Sequence, residues 1–175
     1  LSGLGYVRIF VHRPLLGNVK RLTIKREADE WYAIFVTERE GAKRRPLAEI
    51  PLKRVRGADM GLERFVTFDN TTSAENPQFL RKSENKVKQI QQHFSRKEKG
   101  SKRRLDLGGR LARLHLNVKR QREDFQNKLV HRIFKESDVL VLEKLNISRM
   151  LHDHSLAKSI SDASWSKFAR KAVFK

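Results

Sequence analysis

The sequence has no cysteine among its 175 residues, so disulfides and thiolate metal sites are excluded for this chain. It has no apolar run near the roughly 20 residues that a bilayer span requires. No signal peptide is visible at its start. Acidic residues are scarce: 20 Asp and Glu stand against 39 Lys and Arg, for a net charge of +19. Such an excess repels itself in a compact state, and a polyanion relieves that cost. Nucleic acid is the leading partner, because each neutralised phosphate releases counterions. A membrane surface fits less well, since the charge is spread along the whole chain and not gathered on one amphipathic helix. The sequence starts at Leu1 and stops at Lys175 inside a helical pattern, so it reads as a piece of a longer protein.

What is present divides into two parts. Residues 1–52 carry strand signals in three runs: Tyr6–Val11, Val19–Lys25 and Trp31–Thr37. They predict an antiparallel meander of the kind that forms part of a small barrel, with Trp31 packed in a core. A polar loop with Lys43, Arg44 and Arg45 follows. The second part begins near Lys53. Val55–Asp59 and Arg64–Phe68 predict a strand pair. Over 79–136 the apolar period becomes helical, with Leu80, Val87, Ile90 and Phe94, then Leu111, Leu114, Val118, Phe125, Leu129 and Ile133. Gly100-Ser101 and Gly108-Gly109 interrupt these runs, which predicts a helical hairpin. Asp138–Leu142 reads as a strand buried on both faces. Trp165, Phe168 and Ala172 mark one side of a last helix.

The hairpin is strongly basic. Arg81, Lys82, Lys86, Arg96, Lys97, Lys99, Lys102, Arg103, Arg104, Arg113 and Arg120 are its candidate phosphate contacts. Only Glu84, Glu98 and Asp106 oppose them between residues 81 and 122, too few for a face balanced by internal ion pairs.

Two acids stand out by position. Asp59 closes one strand and Glu143 follows another. If the helices form a crossover, the two strands can lie parallel and adjacent, with both carboxylates at the same end of the sheet. Close carboxylates need a positive charge between them, and a divalent ion suits hard oxygen ligands. That combination in a basic protein points to metal-dependent cleavage of nucleic acid. The plain alternative for each acid is a surface or capping residue. His152 and His154 around Asp153 read as a polar loop, because a structural metal site usually needs four ligands.

Several segments carry a family resemblance. Gly57-Ala58-Asp59-Met60-Gly61-Leu62 resembles the first-strand motif of the RuvC-like nuclease domain of TnpB (OrfB) proteins, which transposons encode. Asn76–Lys82, Ser95–Ser101 and Leu111–His115 resemble their basic helical insertion. Asp138–Asn146 resembles the strand with the second catalytic acid, and Lys158–Trp165 the segment after it. Ser164 stands where the family usually has Gly, and Ala58 where a branched apolar residue is usual.

The resemblance implies an α/β, RNase H-like (RuvC-like) mixed sheet with a basic helical hairpin insertion at 79–136. The nuclease domain would span 53–175, truncated, after the C-terminal part of a β-barrel wedge domain at 1–52. It implies RNA-guided DNA cleavage with Mg²⁺ (or Mn²⁺), with guide RNA and target DNA as partners. Asp59 and Glu143 match two of three catalytic acids and metal ligands. The third acid and the family's Cys-rich zinc element find no match here, so no zinc site is expected. The resemblance also implies a prokaryotic cytoplasmic protein at the nucleoid. The competing expectations are a non-catalytic basic nucleic-acid-binding module and, more weakly, a ribosome-associated basic protein.

Overall fold

The computed structural model describes residues 5–41, 49 and 54–173. The chain forms two compact units, Leu1–Glu49 and Ile50–Lys175. The boundary expected at residues 52 and 53, the loop cations Lys43, Arg44 and Arg45, and the last two residues lie outside the described set.

In the first unit, alternation of apolar and polar residues gives a hairpin of β1 (Asn18–Glu27) and β2 (Glu30–Glu38). The strands pair antiparallel from Asn18 opposite Glu38 to Glu27 opposite Glu30, with an irregularity between Val19 and Arg21. Gly17 adopts φ 84°, and a Cβ there would stand 2.2 Å from the Glu38 carbonyl oxygen. Only glycine fits this entry to β1.

Two expectations fail in this unit. Tyr6–Val11 is not a strand, and Tyr6, Val7 and Phe10 are exposed. β-propensity records fit to a half-buried pleated surface, and among the described residues no strand pairs with this run. The meander is therefore a two-stranded hairpin. Trp31 is not core either: it is 67% exposed, with the Arg26 guanidinium 5.7 Å from its ring centre.

The second unit holds a four-stranded sheet in the order β5-β4-β3-β6. β3 is Val55–Asp59, β4 Arg64–Phe68, β5 Ser73–Glu75 and β6 Val139–Leu142. β3 runs antiparallel to β4 and parallel to β6. Between β5 and β6 the chain makes two helices, α1 (Phe79–Ser95) and α2 (Lys102–Glu136). After β6 come α3 (Ile147–Met150), α4 (Ala157–Ala163) and α5 (Trp165–Val173). Gly108 and Gly109 do not break the helix, contrary to the sequence expectation; both lie inside α2. Gly108 instead lets Phe94 approach, since a Cβ there would meet the ring at 3.3 Å.

The core sits where β4, α2, α4 and α5 converge. Phe65, Val66, Leu129, Val130, Ile133, Ile160, Trp165 and Phe168 are each at most 3% exposed. Phe65 meets Phe125 and Phe168 edge to face, with ring centres 5.1 and 5.2 Å apart. Burial of each such aromatic side chain contributes about 2–3 kcal/mol.

β6 is not buried on both faces as its apolar run predicts. Val141 is 54% exposed and Val55 on β3 is 48% exposed. By the two-residue period of strands, these residues share a face with Gly57 and Asp59, while Ala58, Leu140 and Leu142 face the core. The sheet has one covered face and one open face.

Candidate active site and nucleic-acid interface

The parallel register pairs Val55 with Val139 and ends at Ala58 opposite Leu142. The next residue on β3 is Asp59 and the next after β6 is Glu143. Both acids therefore stand at the carboxyl ends of neighbouring parallel strands, and both are exposed. Backbone pairing alone brings them to one end of the sheet.

The two ends of this strand pair differ in chemistry. At the amino ends, Arg54 donates to both carboxylate oxygens of Asp138, at 2.7 and 3.3 Å. This hydrogen bond and the charge of Asp138 hold the guanidinium pKa above its ordinary value. Arg56 pairs with Glu136 at 3.2 Å and lies over the Phe68 ring. At the carboxyl ends, no described ion pair or hydrogen bond engages the carboxylate of Asp59 or Glu143. One end is fastened by internal pairs, and the other presents carboxylate oxygens to solvent.

Asp69 lies on the same open face but has a structural task. It sits opposite Gly57, donates its backbone N–H to the Gly57 carbonyl, and accepts the Gly57 N–H on its own carboxylate at 2.9 Å. It extends the β3–β4 ladder where β4 has ended. Among the described residues, no group of three or more His, Cys, Asp and Glu side chains is placed to hold a metal ion. Around His152 and His154, Asp153 turns to its own loop and accepts from the Ser155 backbone N–H and hydroxyl. Those bonds lower its carboxyl pKa, the hydroxyl contributing most.

Helices α1 and α2 pack side by side and carry the sequence-predicted cations, except Arg96, Lys97 and Lys99, which lie in the turn between them. Arg81, Lys82, Lys86, Arg96, Lys99, Lys102, Arg103, Arg113 and Arg120 are exposed, and Lys97 is half-buried. Arg113 and Arg120 also make contacts within the protein. Arg104 differs from the rest. Its guanidinium lies 4.1 Å from the Phe94 ring centre and donates to the carbonyls of Phe94 and Lys97, at 3.1 and 2.8 Å. It clamps the turn between the helices, whose α2 side starts with the Ser101 hydroxyl accepting from the Arg104 N–H. Periodicity cannot separate this arginine from its neighbours, because the clamp depends on where the turn points the carbonyls.

The sequence reading also missed Asp162. It is 9% exposed and pairs with Arg122 of α2 at 2.6 Å. Its oxygens also accept the Leu80 N–H at 3.0 and 3.2 Å. Leu80 is in the first turn of α1, whose preceding residue Gln78 supplies no side-chain cap. One carboxylate on α4 thus caps α1 and neutralises α2. Lys158 on α4 adds a second tie by donating to Glu84 of α1, which lowers the Glu84 pKa.

The chain matches the OrfB_IS605 family, described as "Probable transposase", over residues 41–153. It is 32% identical over 119 residues to a "Putative RNA-guided DNA endonuclease" of Streptomyces pristinaespiralis, an alignment covering 68% of this chain and 30% of that protein. It is 26% identical over 190 aligned positions to the "Putative RNA-guided DNA endonuclease InsQ" of Escherichia coli K12, covering 100% of this chain and 46% of that protein. The chain thus spans less than half the length of either relative. The family match lies across both acid-bearing strands and both basic helices, and the chain belongs to the TnpB/OrfB transposase family.

Proposed function

We propose that this chain forms part of an RNA-guided, divalent-metal-dependent DNA endonuclease with an RNase H-like site, in which Asp59 and Glu143 are metal ligands. One observation carries this reading: the β3–β6 register leaves two exposed acids, without internal partners, at the same end of adjacent parallel strands. Two such carboxylates offer the hard oxygen donors that Mg²⁺ or Mn²⁺ takes. A divalent ion bound there would supply an activated water and charge stabilisation for phosphodiester cleavage. The protein's own part is positional. The sheet holds the acids, the Arg54–Asp138 and Arg56–Glu136 pairs fasten the opposite ends of the strands, and Asp69 fixes β3 against β4. The cations of α1 and α2 contact phosphates of the guide RNA and target DNA. The β1–β2 hairpin fits the end of a wedge domain that helps hold the RNA.

The test uses the longer protein with its guide RNA. Asp59→Ala is expected to lower DNA cleavage by at least about 10³-fold while RNA affinity stays within twofold. Cleavage unchanged in Asp59→Ala would remove the assignment. A second reading is a nucleic-acid-binding module without catalysis, carried by the net charge of +19 and the exposed cations around α1 and α2. It predicts salt-sensitive binding that is indifferent to either acid, and no cleavage by the longer protein.

A further inference from the structure

Among the described residues, two clefts on the helical side differ in the kind of charge they carry. One, of about 480 Å³, is lined in part by Arg81, Lys158, Glu63, Glu84 and Asp162. Its charges are largely satisfied internally, since Lys158 is tied to Glu84 and Asp162 to Arg122. The other, of about 390 Å³, lies at the turn between α1 and α2 and is lined by His93, Lys97, Arg103, Asp106, Leu107 and Arg110.

The turn cleft follows from helix geometry. Arg103, Asp106, Leu107 and Arg110 are spaced i, i+3, i+4 and i+7 on α2, so they share one face. His93 in the last turn of α1 and Lys97 just beyond it close the other side. Three permanent cations meet one acid here, and no ion pair among the described residues neutralises Lys97, Arg103 or Arg110. Arginines on one helix face and a lysine across a cleft suit phosphate oxygens, which arginine can bind through two N–H groups at once. Arg104 turns inward: it lies over Phe94 and donates to the Lys97 carbonyl, and so holds the turn that carries Lys97 to the cleft.

We infer that this cleft is a discrete phosphate-binding site that grips the sugar–phosphate backbone of a nucleic acid at the far end of the helical pair. The inference rests on the reading that the chain binds nucleic acid, and it locates one site within the broad basic surface. The contact is to backbone, so it carries no base preference.

The test measures binding of the full 175-residue chain to a fluorescent 20-nucleotide single-stranded RNA and, separately, to a 20-base-pair DNA duplex, across a salt series. The variant Arg103→Ala/Arg110→Ala removes two exposed cations from the cleft. Lys167→Ala/Arg170→Ala removes two exposed cations from α5 and controls for overall charge. Thermal melting checks that both variants fold. The cleft variant is expected to lose about tenfold in affinity for at least one of the two ligands. The slope of log K against log salt should fall by about 1 to 2. The arm that shows the loss names the strand. Binding equal to the wild type or to the α5 control in both arms overturns the site while leaving the wider reading standing. A wild-type chain with no salt-dependent binding overturns both.

Discussion

The two halves of α2 share one helix and differ in purpose. From Leu116 to Ile133 the helix buries Leu116, Val118, Gln126, Leu129, Val130 and Ile133; from Lys102 to His115 no residue is fully buried, and Leu107, Leu111 and Leu114 are half-buried. The C-terminal half is held by the sheet and by α5, while the N-terminal half touches α1 and presents Arg103, Arg110 and Arg113. A 35-residue helix is about 50 Å long, longer than the small sheet needs. Burial is concentrated in the C-terminal half, so truncations in the two halves should differ in their cost to stability.

The largest effect is expected at Asp162, which serves the buried half. Asp162→Ala leaves the Arg122 guanidinium unpaired and the Leu80 N–H without an acceptor, and should cost about 3–5 kcal/mol in urea denaturation. A loss below about 1 kcal/mol would mean that solvent reaches Arg122 and that the buried half is less closed than described. Next, Ile133→Ala, at a residue 2% exposed, should cost about 2–4 kcal/mol. Leu105→Ala in the N-terminal half, at a residue 69% exposed, should change stability by no more than about 0.5 kcal/mol. Equal losses at the two positions would erase the distinction between the halves. The smallest effect is expected at the α4–α5 junction, where Ser164 holds φ 54°. Gln126 of the buried half donates to the Ser164 carbonyl here. Ser164→Gly relieves the left-handed strain but gives up the Ser164 hydroxyl bond to Ser161, for a net gain of about 0.5 kcal/mol. A net loss would show the hydroxyl to matter more than the backbone.

The parts legible in the sequence are those set by short-range pattern. Alternation gave β1 and β2, the apolar run gave β6, and helical spacing gave α1 and α2. Asp59 and Glu143 stood out because each follows a strand, and the pairing of β3 with β6 places them together. Ser164 was legible as a departure from the family's usual glycine, and its positive φ supplies the physical reason. What escaped depends on partners distant in sequence. Among the described residues, Tyr6–Val11 has a strand's composition but no partner strand, and Trp31 has an alternating neighbourhood but no layer that covers it. Gly108 and Gly109 read as a break, yet α2 continues because its packing outweighs a cost of about 1 kcal/mol per glycine. Arg104 and Asp162 owe their roles to carbonyls and N–H groups that only the folded chain brings near them.

The strand pairing also has a consequence in time. Arg54 and Asp138, which immediately precede the paired strands, are 84 residues apart, and both α1 and α2 lie between them. Helices form in about a microsecond or less, whereas contacts so distant along the chain wait for a long loop to close. The helices α1 and α2 are therefore expected to form before β3 and β6 pair, so that Asp59 and Glu143 come to one end of the sheet late in folding.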